Sequence, residues 1–148
     1  MRVSEIMSRD VLIASPQQSI AEAAQAMAAN DIGSLPVGEN DELVGMITDR
    51  DIAIRGVGKG CAPDTPIRDV MTRDIKYCFE DEELAHVTKN MGDIQVRRLP
   101  VLNRDKRLVG IVSLGDIALD AHPRHTVDMV RKISEPGGQH GQSLAGIR

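Results

Sequence analysis

Two heptapeptides bring together residue types that can do chemistry. Gly45-Met46-Ile47-Thr48-Asp49-Arg50-Asp51 and Gly110-Ile111-Val112-Ser113-Leu114-Gly115-Asp116 both reduce to Gly-x-x-(Ser/Thr)-x-x-Asp. In each, an apolar run ends and a helical pattern starts at the hydroxyl residue, which puts the motif on a strand-to-helix junction. A helix N-terminus offers unbonded N–H groups and the positive end of the dipole, so an anion is favoured there. The hydroxyl can donate to a phosphate oxygen. A carboxylate one turn later can accept from the two vicinal hydroxyls of a ribose. Gly45 and Gly110 are expected to let the backbone come close to a bound group. Together these features describe a seat for a nucleotide. The same Ser/Thr-x-x-Asp spacing is also a plain capping box, worth about 1 kcal/mol. The heptapeptide fits both readings, and the case for a ligand rests on the motif occurring twice in register.

That register runs through most of the chain. Val3-Ser4-Glu5-Ile6-Met7-Ser8-Arg9-Asp10 lies 64 positions before Ile67-Arg68-Asp69-Val70-Met71-Thr72-Arg73-Asp74. The same offset pairs Met27 with Met91 and Leu35-Pro36-Val37 with Leu99-Pro100-Val101. One inserted residue then moves the offset to 65, pairing Leu43-Val44-Gly45 with Leu108-Val109-Gly110 and Asp51-Ile52-Ala53 with Asp116-Ile117-Ala118. The chain is a tandem duplication. Each copy alternates in the order strand, helix, strand, strand, helix. In the first copy, Val11 to Ala14 is a short apolar run and Ser19 caps a helix with Ile20, Ala23, Ala24, Met27 and Ala28 on one face. A hairpin turns at 38–41, and a second helix starts near Thr48. The second copy repeats this with a strand over 75–78, a helix over 81–91, strands near Leu99 and over 108–112, and a helix from Leu114. A further helix is expected over 126–133, and the Gly-rich 137–142 is expected to be mobile. The expected division is 1–60 and 67–122 for the two copies, 61–66 for a linker, and 123–148 for a short helix and tail. The fold class is α/β (α+β).

Composition excludes several function classes. Two copies, a linker and a tail fill all 148 residues and leave no room for a catalytic domain. No Ser/His/Asp or Cys/His catalytic set can be assembled, so no enzymatic activity is expected. A net charge of −4 argues against a dedicated binder of duplex nucleic acid. One Tyr, one Phe and no Trp speak against a base-stacking platform and call for an aliphatic core. No apolar run is long enough for a membrane span, and Met1 to Glu5 does not open a signal peptide. With only two cysteines, a cytoplasmic protein is the default expectation. Cys61, Cys78, His122 and His125 are zinc-ligand types, but at no known finger spacing, and no metal site is predicted. The acidic run 80–83 suits a helix start, and 103–107 reads as a charged hairpin turn. The aliphatic stretches Ile52-Ala53-Ile54 and Ile117-Ala118-Leu119 are too apolar to stay wet on a monomer, which predicts a homodimer.

The tandem repeat, the Leu-Pro-Val strand and the paired junctions together resemble a pair of CBS domains, over about residues 3–121. The resemblance implies a tandem βαββα pair with pseudo-twofold symmetry, often called a Bateman module, that frequently pairs as a homodimer. It implies an adenosine-containing ligand such as AMP, ADP, ATP or S-adenosylmethionine in two clefts, a regulatory ligand and not a catalytic cofactor. In the second cleft it implies Ser113 on phosphate, Asp116 on ribose and Ile111 lining the pocket. There Arg97 and Arg98 precede the Leu-Pro-Val strand, and Ser15, Ile20 and Ile32 close around the base. In the first cleft it implies Thr48 and Asp51 in the same roles, with Met46 lining. Ser34 stands where the second cleft has Arg98, Arg50 is a substitute cation, and Phe79, Leu84 and Val96 meet the base. The expected function is a non-catalytic sensor of an adenine nucleotide that signals to an effector protein in trans. The alternative is a structural dimerisation module with unoccupied clefts.

Overall fold

The computed structural model describes residues 1–120 and 123–136. The chain forms two compact units, Asp10–Lys76 and Met1–Arg9 with Tyr77 onward. Their limits fall inside the sequence repeats, because the leading segment of each copy is built into the unit of the other.

In the unit Asp10–Lys76, α1 spans Ile20–Asn30, β1 Ser34–Glu39, β2 Glu42–Thr48 and α2 Asp49–Asp51. Ser19 caps α1 by accepting from the Glu22 amide, and Asp31 ends it in the left-handed region at φ 52°. β1 and β2 pair antiparallel, with a register shift at Val37/Gly38. The tight turn between them places Asn40 and Asp41 at positive φ, which these two residue types tolerate. The one-turn α2 runs on as a wider π turn over Ile52–Gly56. The expected strand over 11–14 does not form. Only Ala14 bridges Val37, and Leu12 and Ile13 are 45% and 52% exposed. The core holds Ile20, Met27, Leu35, Val37, Ile47, Ile67, Val70 and Met71, aliphatic as expected.

In the other unit, β3 is Cys78–Phe79, α3 Leu84–Ile94, β4 Arg98–Leu102, β5 Leu108–Ser113, α4 Leu114–Asp120 and α5 Pro123–Ile133. β3 runs parallel to β4, and β4 antiparallel to β5. α3 starts later than the sequence suggests, because the acidic run is spent in a turn where the Glu82 carboxylate accepts from the Phe79 amide at 2.8 Å. α5 starts earlier, on Pro123, a residue suited to the first helical position. Val3 and Met7 join Val87, Met91, Leu99, Val101, Val112, Ile117 and Met129 in one core. α5 lies on α3 at Gly92, where an added Cβ would stand 3.1 Å from Lys132 Cβ. Gln95 fixes the far end of α5, its side-chain amide donating to the carbonyls of Lys132 and Glu135 at 3.0 Å each. The segment 137–148 lies outside the described residues.

Candidate ligand-binding junctions

Each motif folds into a reciprocal cap. At the β2–α2 junction the Thr48 amide donates to Asp51 Oδ2 at 3.1 Å, and the Asp51 amide donates to Thr48 Oγ1 at 3.0 Å. At the β5–α4 junction the Ser113 amide donates to Asp116 Oδ2 at 3.0 Å, and the Asp116 amide donates to Ser113 Oγ at 3.1 Å. The capping reading of the sequence is therefore the ground-state geometry at both sites. It leaves chemistry over. Each hydroxyl accepts with its oxygen and keeps its proton to donate, and each carboxylate accepts the capping amide with one oxygen only.

The two junctions differ in what surrounds that remainder. In the first, the α2 amides are all engaged. Asp49 donates to the Gly33 carbonyl at 2.9 Å, Arg50 to the Asp49 carboxylate at 2.8 Å, and Asp51 to Thr48. The Asp51 Oδ1 atom also has the Arg55 guanidinium at 3.8 Å, which in turn donates to Thr72 Oγ1 at 3.3 Å. In the second, Leu114 donates to the Arg97 carbonyl at 2.7 Å and Asp116 to Ser113, while the Gly115 amide between them has no acceptor among the described residues. An anion at the second junction meets an open N–H, where at the first it meets the Asp49 carboxylate. Sequence reasoning missed this contrast, although the aligned pair Arg50 and Gly115, flanked by Asp49 and Leu114, carries it.

The glycines of the motif have a different role from the one expected. A Cβ on Gly45 would stand 2.7 Å from Met71 Sδ and 2.9 Å from the Thr72 carbonyl oxygen, and one on Gly110 2.7 Å from Met7 Sδ and 2.8 Å from the Ser8 carbonyl oxygen. The close approach is that of the chain itself. Thr72 bridges Met46, and Ser8 bridges Ile111, as an extra partner along the strand edge.

The other expected site residues are placed as follows. Ser34 pairs with Thr48 across the β1–β2 ladder and Arg98 with Ser113 across β4–β5, so both stand beside their hydroxyl as the alignment requires. Met46 and Ile111 are half-buried on their strands, Arg97 is exposed just before β4, and Arg50 is exposed in α2. In the unit Asp10–Lys76, Ser15 donates to the Gln17 side chain, Ile32 is 38% exposed, and Ile20 is a core residue. In the other unit, Leu84 is a core residue and Val96 packs at the core's margin. Phe79 has the Arg104 guanidinium 4.1 Å over its ring centroid and the Tyr77 ring edge-on at 5.6 Å. Arg104 is held there by two bonds to the Asp81 carboxylate at 2.9 and 2.8 Å, and it keeps that carboxyl below the usual range. A base stacked on Phe79 would have one ring face left. Among the zinc-type residues, Cys78 is buried and its thiol is pushed up to about 12 by burial and by Glu82, which opposes thiolate ligation; His122 lies outside the described residues. Among the described residues no helix is long and apolar enough to cross a membrane.

Comparison with known proteins gives the same repeat. The CBS domain pattern matches residues 3–57 and again 67–120. The CBS domain-containing protein YhcV of Bacillus subtilis (strain 168) is 39% identical over 118 residues, which cover 80% of this chain and 84% of the relative. Hypoxic response protein 1 of Mycobacterium tuberculosis (strain ATCC 25618 / H37Rv) is 38% identical over 134 residues, 89% of this chain and 93% of the relative. Among solved structures, the CBS domain pair of protein MJ0100 in complex with 5′-methylthioadenosine and S-adenosyl-L-methionine matches with a TM-score of 0.73 and 32% identity, over 80% of this chain and 94% of that one.

Proposed function

The chain belongs to the CBS domain family as a tandem pair, and from that premise we propose that it is a non-catalytic regulatory module sensing an adenine nucleotide. The observation that carries the reading is the pair of reciprocal caps, each with a hydroxyl proton left over for a ligand, and the second with a carboxylate oxygen as well. MJ0100, a solved relative, holds two adenosine-containing molecules, which supports the ligand class. The ligand would sit at a junction, with the hydroxyl donating to phosphate and the carboxylate accepting from ribose. The second junction is the tighter one for phosphate. It combines Ser113, the open Gly115 amide and Arg98, where the first has Thr48, Asp49 and Ser34. A guanidinium on phosphate adds two charge-assisted hydrogen bonds to what a helix end supplies. The module would be a homodimer acting on an effector in trans, and the exposure of Leu119 at 86% and Ile54 at 46% supports an unfilled interface. Coupling requires the ligand to bind the two signalling states unequally.

Calorimetry with AMP, 2′-deoxy-AMP and adenosine tests this. AMP should bind tightest, and loss of the 2′-hydroxyl should cost about 1.5–3 kcal/mol, a charge-assisted hydrogen bond. Arg98→Ala should weaken AMP and leave adenosine nearly unchanged. No binding by any adenylate, or equal affinity for AMP and 2′-deoxy-AMP, would reduce Asp51 and Asp116 to helix caps and favour the dimerisation reading.

A further inference from the structure

The repeat shows where the two copies carry different charge on the same backbone. In the unit Asp10–Lys76, Arg55, Arg68, Thr72 and Arg73 line a cavity of about 490 Å³ together with Asp69 and Asp74. The repeat register matches them with Asp120, Ser4, Ser8, Arg9, Glu5 and Asp10. Three cations against two anions in the first set become one cation against three anions in the second. Asp74 is further offset by Lys76 at 3.3 Å. The backbone does not call for this change. Thr72 and Met46 exchange backbone bonds of 2.8 and 2.9 Å, as Ser8 and Ile111 do. Arg73 and Arg9 each donate to the carbonyl five residues back, that of Arg68 or Ser4, at 3.1 Å. The scaffold therefore accounts for Arg73 and Arg9 but not for Arg55 and Arg68.

The two added arginines are not used up inside the protein. The Arg68 guanidinium makes no ion pair or hydrogen bond among the described residues. Arg55 donates to Thr72 Oγ1 at 3.3 Å and stands 3.8 Å from the Asp51 carboxylate, long for a charge-assisted bond. It is carried there by the π turn Ile52–Gly56, where the second copy continues as the plain helix α4. The buried Gly56 seats that turn, since a Cβ on it would stand 3.2 Å from Ile20 Cδ1. Thr72 accepts from Arg55 and keeps its hydroxyl proton to donate. Three guanidiniums and one hydroxyl proton thus line one hollow, and guanidinium forks match the oxygens of a phosphate. We infer that this cavity is a binding site for an oligophosphate chain, free or carried by a nucleotide, separate from the hydroxyl–carboxylate junctions. A lone orthophosphate would leave most of the cavity unfilled and meet fewer of its cations.

Calorimetry of the full chain with inorganic triphosphate tests this, in about 0.15 M salt so that diffuse attraction is screened. Triphosphate should bind at one site per chain, with pyrophosphate weaker and orthophosphate weakest. Arg68→Ser, which restores the residue of the other copy, should weaken triphosphate about tenfold or more, and so should Arg55→Gln and Arg73→Gln. Lys59→Gln, on an exposed cation of the same unit outside the cavity, should not. All four side chains are exposed, so circular dichroism should find the variants folded. Asp51→Asn keeps an acceptor for the helix cap but removes the carboxylate that competes for Arg55, so it should tighten triphosphate. ATP set against triphosphate identifies the source: tighter binding of ATP means that a nucleotide carries the chain, and equal or weaker binding means a free one. Triphosphate binding without any AMP binding would defeat the adenylate reading and uphold this one. Absence of triphosphate binding overturns the proposal. An equal loss with Lys59→Gln does so too, because the attraction is then unspecific. Weakening by Asp51→Asn also overturns it, since the phosphates then belong to the first junction itself.

Discussion

A methyl group added at Gly110 has nowhere to go, because the Ser8 carbonyl oxygen at 2.8 Å belongs to a backbone bonded on both sides to Ile111. Gly110→Ala should therefore cost about 1–3 kcal/mol, the usual price of overpacking a filled site. A lowered urea midpoint with an unchanged slope would show it, and a midpoint within error of wild type would refute it. The sequence marked Gly110, Ser113 and Asp116 as a group, but two physical jobs are mixed in them. Ser113 and Asp116 hold the helix entry through bonds local enough to be read from spacing. Gly110 answers to a segment about a hundred positions away, and no local pattern records that contact. The same limit hid the Asp81–Arg104–Phe79 stack, whose members come from a strand, a turn and a hairpin that only the fold brings together.

Between elements, the most informative contact is α5 on α3. The sequence shows an amphipathic stretch after the second copy but not its seat, because Gly92 reads as a helix weakness until Lys132 and Met129 are seen over it. Met129 is fully enclosed, so Met129→Ala should cost about 2–5 kcal/mol, transfer loss plus cavity. The accompanying sign is specific: amide exchange should quicken in α3 and α5 together and stay unchanged in α1. Uniform acceleration across the chain would contradict this. Strongly periodic elements such as α1 were legible, capped by Ser19 as its position suggests. The stretch 11–14 was misread because a short apolar run with Val and Ile favours a strand, while only Ala14 finds a partner backbone to complete one.

At the scale of the whole molecule, the repeat was plain in the sequence, and its exchange of leading segments was not. Deleting Met1–Arg9 removes Val3 and Met7 from a core otherwise made of residues beyond Tyr77. Hydrogen exchange of the truncated protein should lose protection over β4, β5 and α4 and keep it over β1 and β2. Loss confined to the first copy, or no loss, would show that the segment is dispensable where it packs. The arrangement also sets an order on synthesis. Val3 leaves the ribosome before Asp10–Lys76, but its partners Val87, Leu99 and Val112 are translated only afterwards. The middle unit has its whole sequence available first and can close as an insert, while the opening residues wait as an extended, apolar-bearing thread. Whatever slows elongation past Tyr77 lengthens the time during which Val3 and Met7 are open to chaperones and to other nascent chains.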